Sequence, residues 1–288
     1  MKQKIKLGQY NTLKVKEEAR REGYGEVFGL YLEGGDDGDI LMPEKYVPEG
    51  VKLGDEVKVF VYLDQQERPV ATTEKPFAQT GDFAWLECVW VNEYGAFLDW
   101  GVTKNLFCPF REQKMRMEIG KSYIVHIHVD EESYRLVASA KVEHYLDTSH
   151  PQYRFGDRVQ LLVWQKTDLG FKVIVDNRYS GLVYSDQIFR HIHSGDILPG
   201  YVSRVRSDGK IDVALQPAGQ RQSHSFADEL LQYLRDNDGV CDLGDKSEAD
   251  DIYERFQVSK KVYKKAVGEL YRKRLIEVAP MSIRLVKD

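Results

Sequence analysis

The chemistry open to this chain is set first by its histidines and cysteines. His126 and His128 stand two apart in the alternating run Ile124 to Val129. Side chains at i and i+2 share one face of a strand, so this pair could chelate a metal. His191 and His193 repeat the spacing in a stretch that reads as loop. Neither pair has a cysteine nearby, and the carboxylates around Asp130 read as ordinary surface residues, so no metal centre is expected. Cys88, Cys108 and Cys241 are odd in number and widely spaced, which disfavours a disulfide framework or a CxxC pair. They read as small buried hydrophobes. No Gly-x-x-x-x-Gly-Lys loop and no Gly-x-Ser-x-Gly elbow occurs. The segment Gly34-Gly35-Asp36-Asp37-Gly38 is acidic, would repel phosphate, and reads as a hairpin loop. The expectation is a protein with no enzymatic activity and no cofactor.

Charge points elsewhere. The chain has 288 residues, 42% hydrophobic and 30% charged, and a net charge of −5. That length suggests two or more domains, and the composition excludes disordered and collagen-like classes. No run approaches the roughly 18 apolar residues of a membrane span, and the basic start at Met1 is followed by no apolar signal core. A cytoplasmic protein with no membrane partner and no small-molecule substrate is therefore expected. Overall acidity argues against nucleic acid, because phosphate affinity comes from clustered Lys and Arg. The distribution argues the other way. Residues 153 to 222 carry 10 basic against 7 acidic residues, and Ser259 to Arg274 holds seven basic residues and one acidic.

The elements that must position such residues repeat. A Gly opener precedes the alternating run Trp85 to Val91, then Tyr94-Gly95-Ala96-Phe97-Leu98, Leu106 and Pro109, Gly120-Lys121, Ile124 to Val129, and Arg135 to Ser139. The order recurs from Gly156 to Leu215, and a looser copy runs from Phe28 to Ala71. The period is about 70 residues. Each copy reads as five short strands, because Val, Ile, Tyr, Phe and Trp alternate between Gly, Asp and Asn turns. Five strands in that length close into a small barrel of the OB-fold kind, a fold that presents a face to oligonucleotides. The expected fold class is mainly β with a C-terminal α+β domain: modules over 1 to 75, 76 to 147 and 148 to 218, then a different domain over 222 to 288. Short connectors near Lys75, Thr148-Ser149-His150-Pro151 and Pro217-Ala218-Gly219 suggest limited motion between them.

In the last segment Phe226, Leu230, Leu231, Tyr233 and Leu234 follow helical spacing behind Ser223 or Ser225 as N-caps. Gly239 to Gly244 reads as a strand and turn, Ser247 as the cap of a second helix, and Ser259 as the opener of a third. A hairpin around Pro280 closes the chain. This is the winged-helix order, whose third helix is the usual groove reader. On that helix Lys260, Lys261, Lys264, Lys265, Arg272, Lys273 and Arg274 lie opposite the apolar stripe, a solvated face able to contact phosphate backbone.

The Gly-aromatic-Gly-hydrophobic-Asp pattern and Gly181-Leu182-Val183-Tyr184-Ser185 resemble ribosomal S1-type RNA-binding domains. The tail from Asp245-Lys246-Ser247 through Ser259 to Tyr271 resembles the winged helix of the bacterial conserved virulence factor B (CvfB) family. Three S1-type domains followed by a winged helix would cover essentially the whole chain. The resemblance implies an RNA-binding protein that adjusts gene expression after transcription.

It also implies particular residues. In S1 domains bases stack on two aromatics around the first Gly motif, a residue on the next strand adds a contact, and an Asp-x-x-x-Arg pair lies beside them. Carried over, copy one supplies Phe28, Tyr31, Asp64 and Arg68, with Pro43 at the strand contact. Copy two supplies Tyr94 and Phe97, with Cys108 placed where the family commonly has His and Arg135 one residue too far from Asp130. Copy three keeps Tyr184 and the Asp208 to Lys210 region, with Leu169 and Lys172 at the aromatic positions. Copies one and two are therefore expected to stack bases, and copy three to hold phosphates through Arg178, Arg204, Arg206 and Lys210, with Lys172 a further RNA contact. Single-stranded RNA is the expected partner, with possible duplex contacts through the winged helix. A DNA-binding regulator led by the winged helix and a protein-interaction adaptor are the alternatives.

Overall fold

The structure, a computed structural model, describes residues 4–21, 25–188, 192–217, 226–256 and 258–286. His191, the expected caps Ser223 and Ser225, and Ala218 and Gly219 of the third connector lie outside them. No helix among the described residues is long and apolar enough to cross a membrane.

The chain divides into two compact units, residues 1–146 and 147–288. The first holds two closed five-stranded barrels. Barrel one is β1 (Gln9–Arg20), β2 (Val27–Leu32), β3 (Ile40–Pro43), β4 (Glu56–Leu63) and β5 (Pro69–Thr72). Barrel two is β6 (Phe83–Val91), β7 (Gly95–Leu98), β8 (Leu106–Pro109), β9 (Ser122–Val129) and β10 (Leu136–Ser139). The second unit opens with barrel three: β11 (Arg158–Thr167), β12 (Gly170–Val175), β13 (Tyr179–Tyr184), β14 (Ile197–Val205) and β15 (Ile211–Ala214). In each barrel the third and fifth strands run parallel, as at Leu41 beside Val70 and Phe107 beside Val137, and the first strand closes against the fourth. The fold expectation is met: this is the five-stranded OB arrangement, in which closure removes exposed edges.

Alternation explains the cores. In β4 and its equivalents one face buries Val57, Val59 and Val61, or Val125 and Ile127, while the other carries polar residues at its edges. One glycine per barrel is fixed by close approach. A Cβ on Gly95 would lie 2.4 Å from the Cys108 carbonyl oxygen, and one on Gly29 or Gly170 would meet the matching carbonyl at 2.3 or 2.0 Å. Within the first unit the barrels share apolar packing. Phe60 of barrel one meets Trp100 of barrel two edge to face at 5.4 Å, and the Thr80 amide donates to the Gly8 carbonyl at 2.8 Å.

The winged-helix region contains α1 (Phe226–Asp236), β16 (Val240–Cys241), α2 (Ala249–Phe256), α3 (Lys260–Arg272), β17 (Ile276–Ala279) and β18 (Ser282–Leu285), with sheet order β16-β18-β17. Tyr263, Ala266, Val267 and Leu270 form the buried stripe of α3. Ser259 caps α3 as expected, its hydroxyl accepting from the Val262 amide. Ser247 does not play the part expected of it. Its buried hydroxyl accepts from Gly244 N–H at 2.7 Å and fastens the preceding turn, and α2 begins only at Ala249.

Candidate nucleic-acid interface

The strand registers identify equivalent outer-face positions within each of the three barrels. In barrel two Trp90 pairs with Phe97, and Phe97 pairs with Phe107, across β6, β7 and β8. The equivalent row in barrel one is Glu17, Tyr31, Leu41, and in barrel three Gln165, Lys172, Leu182. The row in barrel two is a continuous aromatic surface. Trp90 and Phe97 ring centroids are 4.7 Å apart, and Phe97 and Phe107 are 5.1 Å apart. A bulge at Val89 turns Trp90 back outward, leaving it half exposed at 53%. Tyr94, 66% exposed, sits at the turn before β7, where the Asn92 side-chain oxygen accepts from the Tyr94 and Gly95 amides at 2.9 and 3.1 Å. Trp90 and Phe107 were not singled out from the sequence. The signal for Phe107 was available, since a residue opposite a known outward aromatic on the neighbouring strand shares its face.

Cys108 is misplaced by the sequence reading. Gly95 pairs with Pro109 as Gly29 pairs with Pro43 and Gly170 with Tyr184, so Pro109 holds the position that Pro43 and Tyr184 hold in their barrels. Cys108 falls on the other parity of β8 and is fully buried, with burial pushing its thiol up to about 12. It cannot touch a ligand on the outer face.

The Asp–Arg sites differ as well. Arg68 donates through Nε and Nη2 to Asp64 Oδ2 at 2.9 and 2.7 Å, and its amide donates to Asp64 Oδ1. Partial burial opposes ionisation of Asp64, but the hydrogen bonds from Arg68 and Gln66 prevail and hold its carboxyl below the usual range. In barrel two the loop is one residue longer and the pair comes apart, although Tyr134 before Arg135 takes the same positive φ (56°) as Glu67 before Arg68 (61°). Asp130 takes Arg111 at 2.8 Å and Ser133, while Arg135 turns toward Glu67 of barrel one at 3.4 Å.

In barrel one Phe28 is the extra residue of a bulge between the Ala19 and Arg20 pairings and is 37% exposed. Tyr31 is half-buried beside Glu17 and stacks on no ring among the described residues. In barrel three Lys172 lies over Trp164 at 5.2 Å. Arg178 is engaged by Asp147 at 2.6 Å, Arg206 by Asp212 at 2.8 Å and by the Tyr184 hydroxyl at 2.9 Å, and Lys210 by Asp208 at 3.1 Å. A phosphate would have to displace these acids, and Arg204 alone of the four expected arginine and lysine contacts flanking β13 to β15 is exposed without a partner among the described residues. On α3 Lys264 pairs with Asp245 and Lys273 with Glu269, and Arg272 donates to the Gly268 carbonyl. Lys261 and Lys265 are exposed, Lys260 is partly buried, and Arg274 ends the helix at φ 59°.

His126 and His128 do share a face of β9, but their rings lie parallel, 5.9 Å apart, against Tyr145. Among the described residues no cluster of three His, Cys, Asp or Glu is arranged to hold a metal ion. Burial, helped by His128, pushes His126 down to about 4, so the stack is neutral at pH 7.

Comparison with known proteins agrees with this architecture. A model described as "S1 domain" matches residues 7–74, and one described as "CvfB-like winged helix domain" matches residues 228–285. Both are nucleic-acid-binding domain types, and nucleic-acid binding is the activity this architecture carries. The chain is 29% identical over 252 residues to protein YitL of Bacillus subtilis (strain 168), spanning 85% of this chain and 84% of that one. It is 20% identical over 276 residues to conserved virulence factor B of Staphylococcus aureus (strain N315), spanning 91% and 92%. A solved multidomain protein with nucleic acid binding domains from Streptococcus pneumoniae TIGR4 is 22% identical, with 97% and 98% covered and a TM-score of 0.43. With an S1 domain at one end and a CvfB-like winged helix at the other, the chain is similar to conserved virulence factor B along nearly the full length of both proteins.

Proposed function

We propose that this protein binds single-stranded RNA on the outer face of barrel two and acts as a post-transcriptional regulator of gene expression. The observation that carries the reading is the Trp90–Phe97–Phe107 row with Tyr94 beside it. Every base has a π-face, so such a row accepts successive bases without demanding a sequence, at roughly 1 to 3 kcal/mol per stacked base. Phe28, Tyr31 and the Asp64–Arg68 pair give barrel one a weaker version, and Lys172 and Arg204 give barrel three backbone contacts. Tandem modules on one chain raise the effective concentration of the second contact once the first is made. The free lysines of α3, Lys260, Lys261 and Lys265, favour a supporting role for the winged helix on phosphate.

Fluorescence anisotropy of labelled single-stranded RNA, single-stranded DNA and duplex DNA, about 15 nucleotides each, tests this with the full chain at two salt concentrations. Preference for single-stranded RNA, lost in Phe97→Ala but kept in the triple variant Lys260→Ala, Lys261→Ala, Lys265→Ala, is the expected outcome. Duplex DNA binding that only the triple variant loses would transfer the function to the winged helix and make the protein a DNA-binding regulator. No salt-dependent binding at all would favour a protein-interaction adaptor.

A further inference from the structure

The aromatic row of barrel two does not end at solvent. Tyr94, Phe97 and Phe107 also form one wall of a cleft of about 410 Å³, whose opposite wall is Tyr62, Leu63 and Glu67 of barrel one. That volume is in the range of roughly 300 to 1,000 Å³ typical of small-molecule-sized ligands. Trp100, Leu106 and Leu136 line its interior. Its lining is mostly apolar, and its polar groups are few and specific. Asn105 lines it with a side-chain amide that has no partner among the described residues. Lys104 Nζ and Arg135 Nε both stand 3.4 Å from the same Glu67 oxygen, so two cations share one carboxylate. Lys104 also donates to the Asp64 carbonyl at 2.7 Å, which fixes its ammonium between the barrels.

We propose that this cleft takes one unstacked nucleobase of a strand lying on barrel two, with Asn105 bonding the base edge and Lys104 and Arg135 receiving the adjoining phosphate in place of Glu67. The inference rests on the proposed RNA binding and adds to it a composite site that neither barrel forms alone. Three features identify the occupant. The cleft shares Tyr94, Phe97 and Phe107 with the stacking surface, so a base beside that row is at its wall. An aromatic and aliphatic lining with a side-chain amide that no described residue engages matches a base, which is flat, apolar on its faces and polar at its edge. Two cations sharing a single carboxylate leave excess positive charge at the mouth, which suits a phosphate and not a second acid. Glu67 then acts as a built-in competitor that weakens binding by occupying both cations.

The test uses the full chain, a labelled 15-nucleotide single-stranded RNA, and an abasic strand of equal length that offers phosphates without bases. Asn105→Trp fills the cleft, and is expected to weaken RNA binding about tenfold while leaving the abasic strand unaffected. Glu67→Gln frees Lys104 and Arg135, and is expected to tighten RNA binding severalfold with a steeper salt dependence. Thermal midpoints check that both variants fold; if Asn105→Trp does not, Glu67→Gln decides. Wild-type affinity in both variants, with affinity still lost in Phe97→Ala, would overturn the cleft and leave the proposed function standing. Failure of the wild-type chain to bind RNA would overturn both.

Discussion

Barrels two and three share a backbone and differ in what they offer a ligand. The three registered outer positions read Trp90, Phe97, Phe107 in one and Gln165, Lys172, Leu182 in the other. The framework positions do not change: a glycine under the next strand's carbonyl in each, and an apolar inner face with Leu86, Cys88 and Ile127 or Leu161, Val163 and Val202. Divergence is therefore confined to the face that does not support the fold. One barrel keeps a neutral stacking surface, and the other carries cations already engaged by Asp147, Asp208 and Asp212. The difference teaches that a repeat can lose a ligand face at almost no cost in stability, because the two faces of a strand alternate and are selected independently.

The sharpest test of the shared part is Gly95→Ala against Gly170→Ala. Each places a methyl within 2.4 Å of a carbonyl oxygen on the facing strand, and each is expected to destabilise its barrel by about 3 kcal/mol in urea unfolding. A neutral result at either position would mean that the backbones are not equivalent. Acid should separate the barrels next. His126 of barrel two corresponds by register to Tyr201 of barrel three, and His128 to Arg204. Burial lowers His126 from 6.5 to about 4, so the unfolded chain binds the extra proton more readily than the fold does. Stability is then full above pH 6.5 and falls as pH drops from about 6.5 to 4, by on the order of 2 to 3 kcal/mol. His128, also lowered by burial, and Glu112, Asp130 and Arg111 line this site too, so the control is His126→Phe, which keeps a ring against Tyr145 and removes the contribution of His126 alone. Amide hydrogen exchange at pH 7 and pH 4.5 should show barrel two losing protection in the wild type, less in the variant, and barrel three losing little. Equal losses in both barrels would break the comparison.

Much of this was legible in the residues. Alternation and turn spacing specify five strands per copy, because burying one face requires period two, and the α3 stripe with its Ser259 cap specifies the third helix. β1 was not singled out, for its run from Gln9 to Arg20 carries Lys14, Lys16, Glu17 and Glu18 between buried Leu13, Val15 and Ala19 and reads as charged. The site was less legible. Placing Cys108 on the ligand face was an error of one residue, and one residue reverses the face. Trp90 depends on the bulge at Val89, which resets the alternation and which no local pattern announces. The cleft depends on barrel one meeting barrel two, a long-range contact made by Phe60 and Trp100, and Arg135 reaches it because one inserted residue detaches it from Asp130.

The smallest effect discriminates best between the two ligand faces. Phe97 and Lys172 occupy the same registered position, one offering a ring and the other a charge. Removing a ring removes stacking, which salt scarcely touches; removing a charge removes counterion release, which is the salt dependence itself. Lys172→Ala should therefore cost less than threefold in RNA affinity at physiological salt, yet lower the slope of log affinity against log salt by about 0.7. Phe97→Ala should do the reverse, with a large loss and an unchanged slope. Lys172 lies over Trp164, so part of its charge is spent on that ring, and a smaller change in slope would measure how much. No change in slope would mean that barrel three, though built on the same strands, has left the nucleic-acid surface altogether, and that the repeat now serves only to join barrel two to the winged helix.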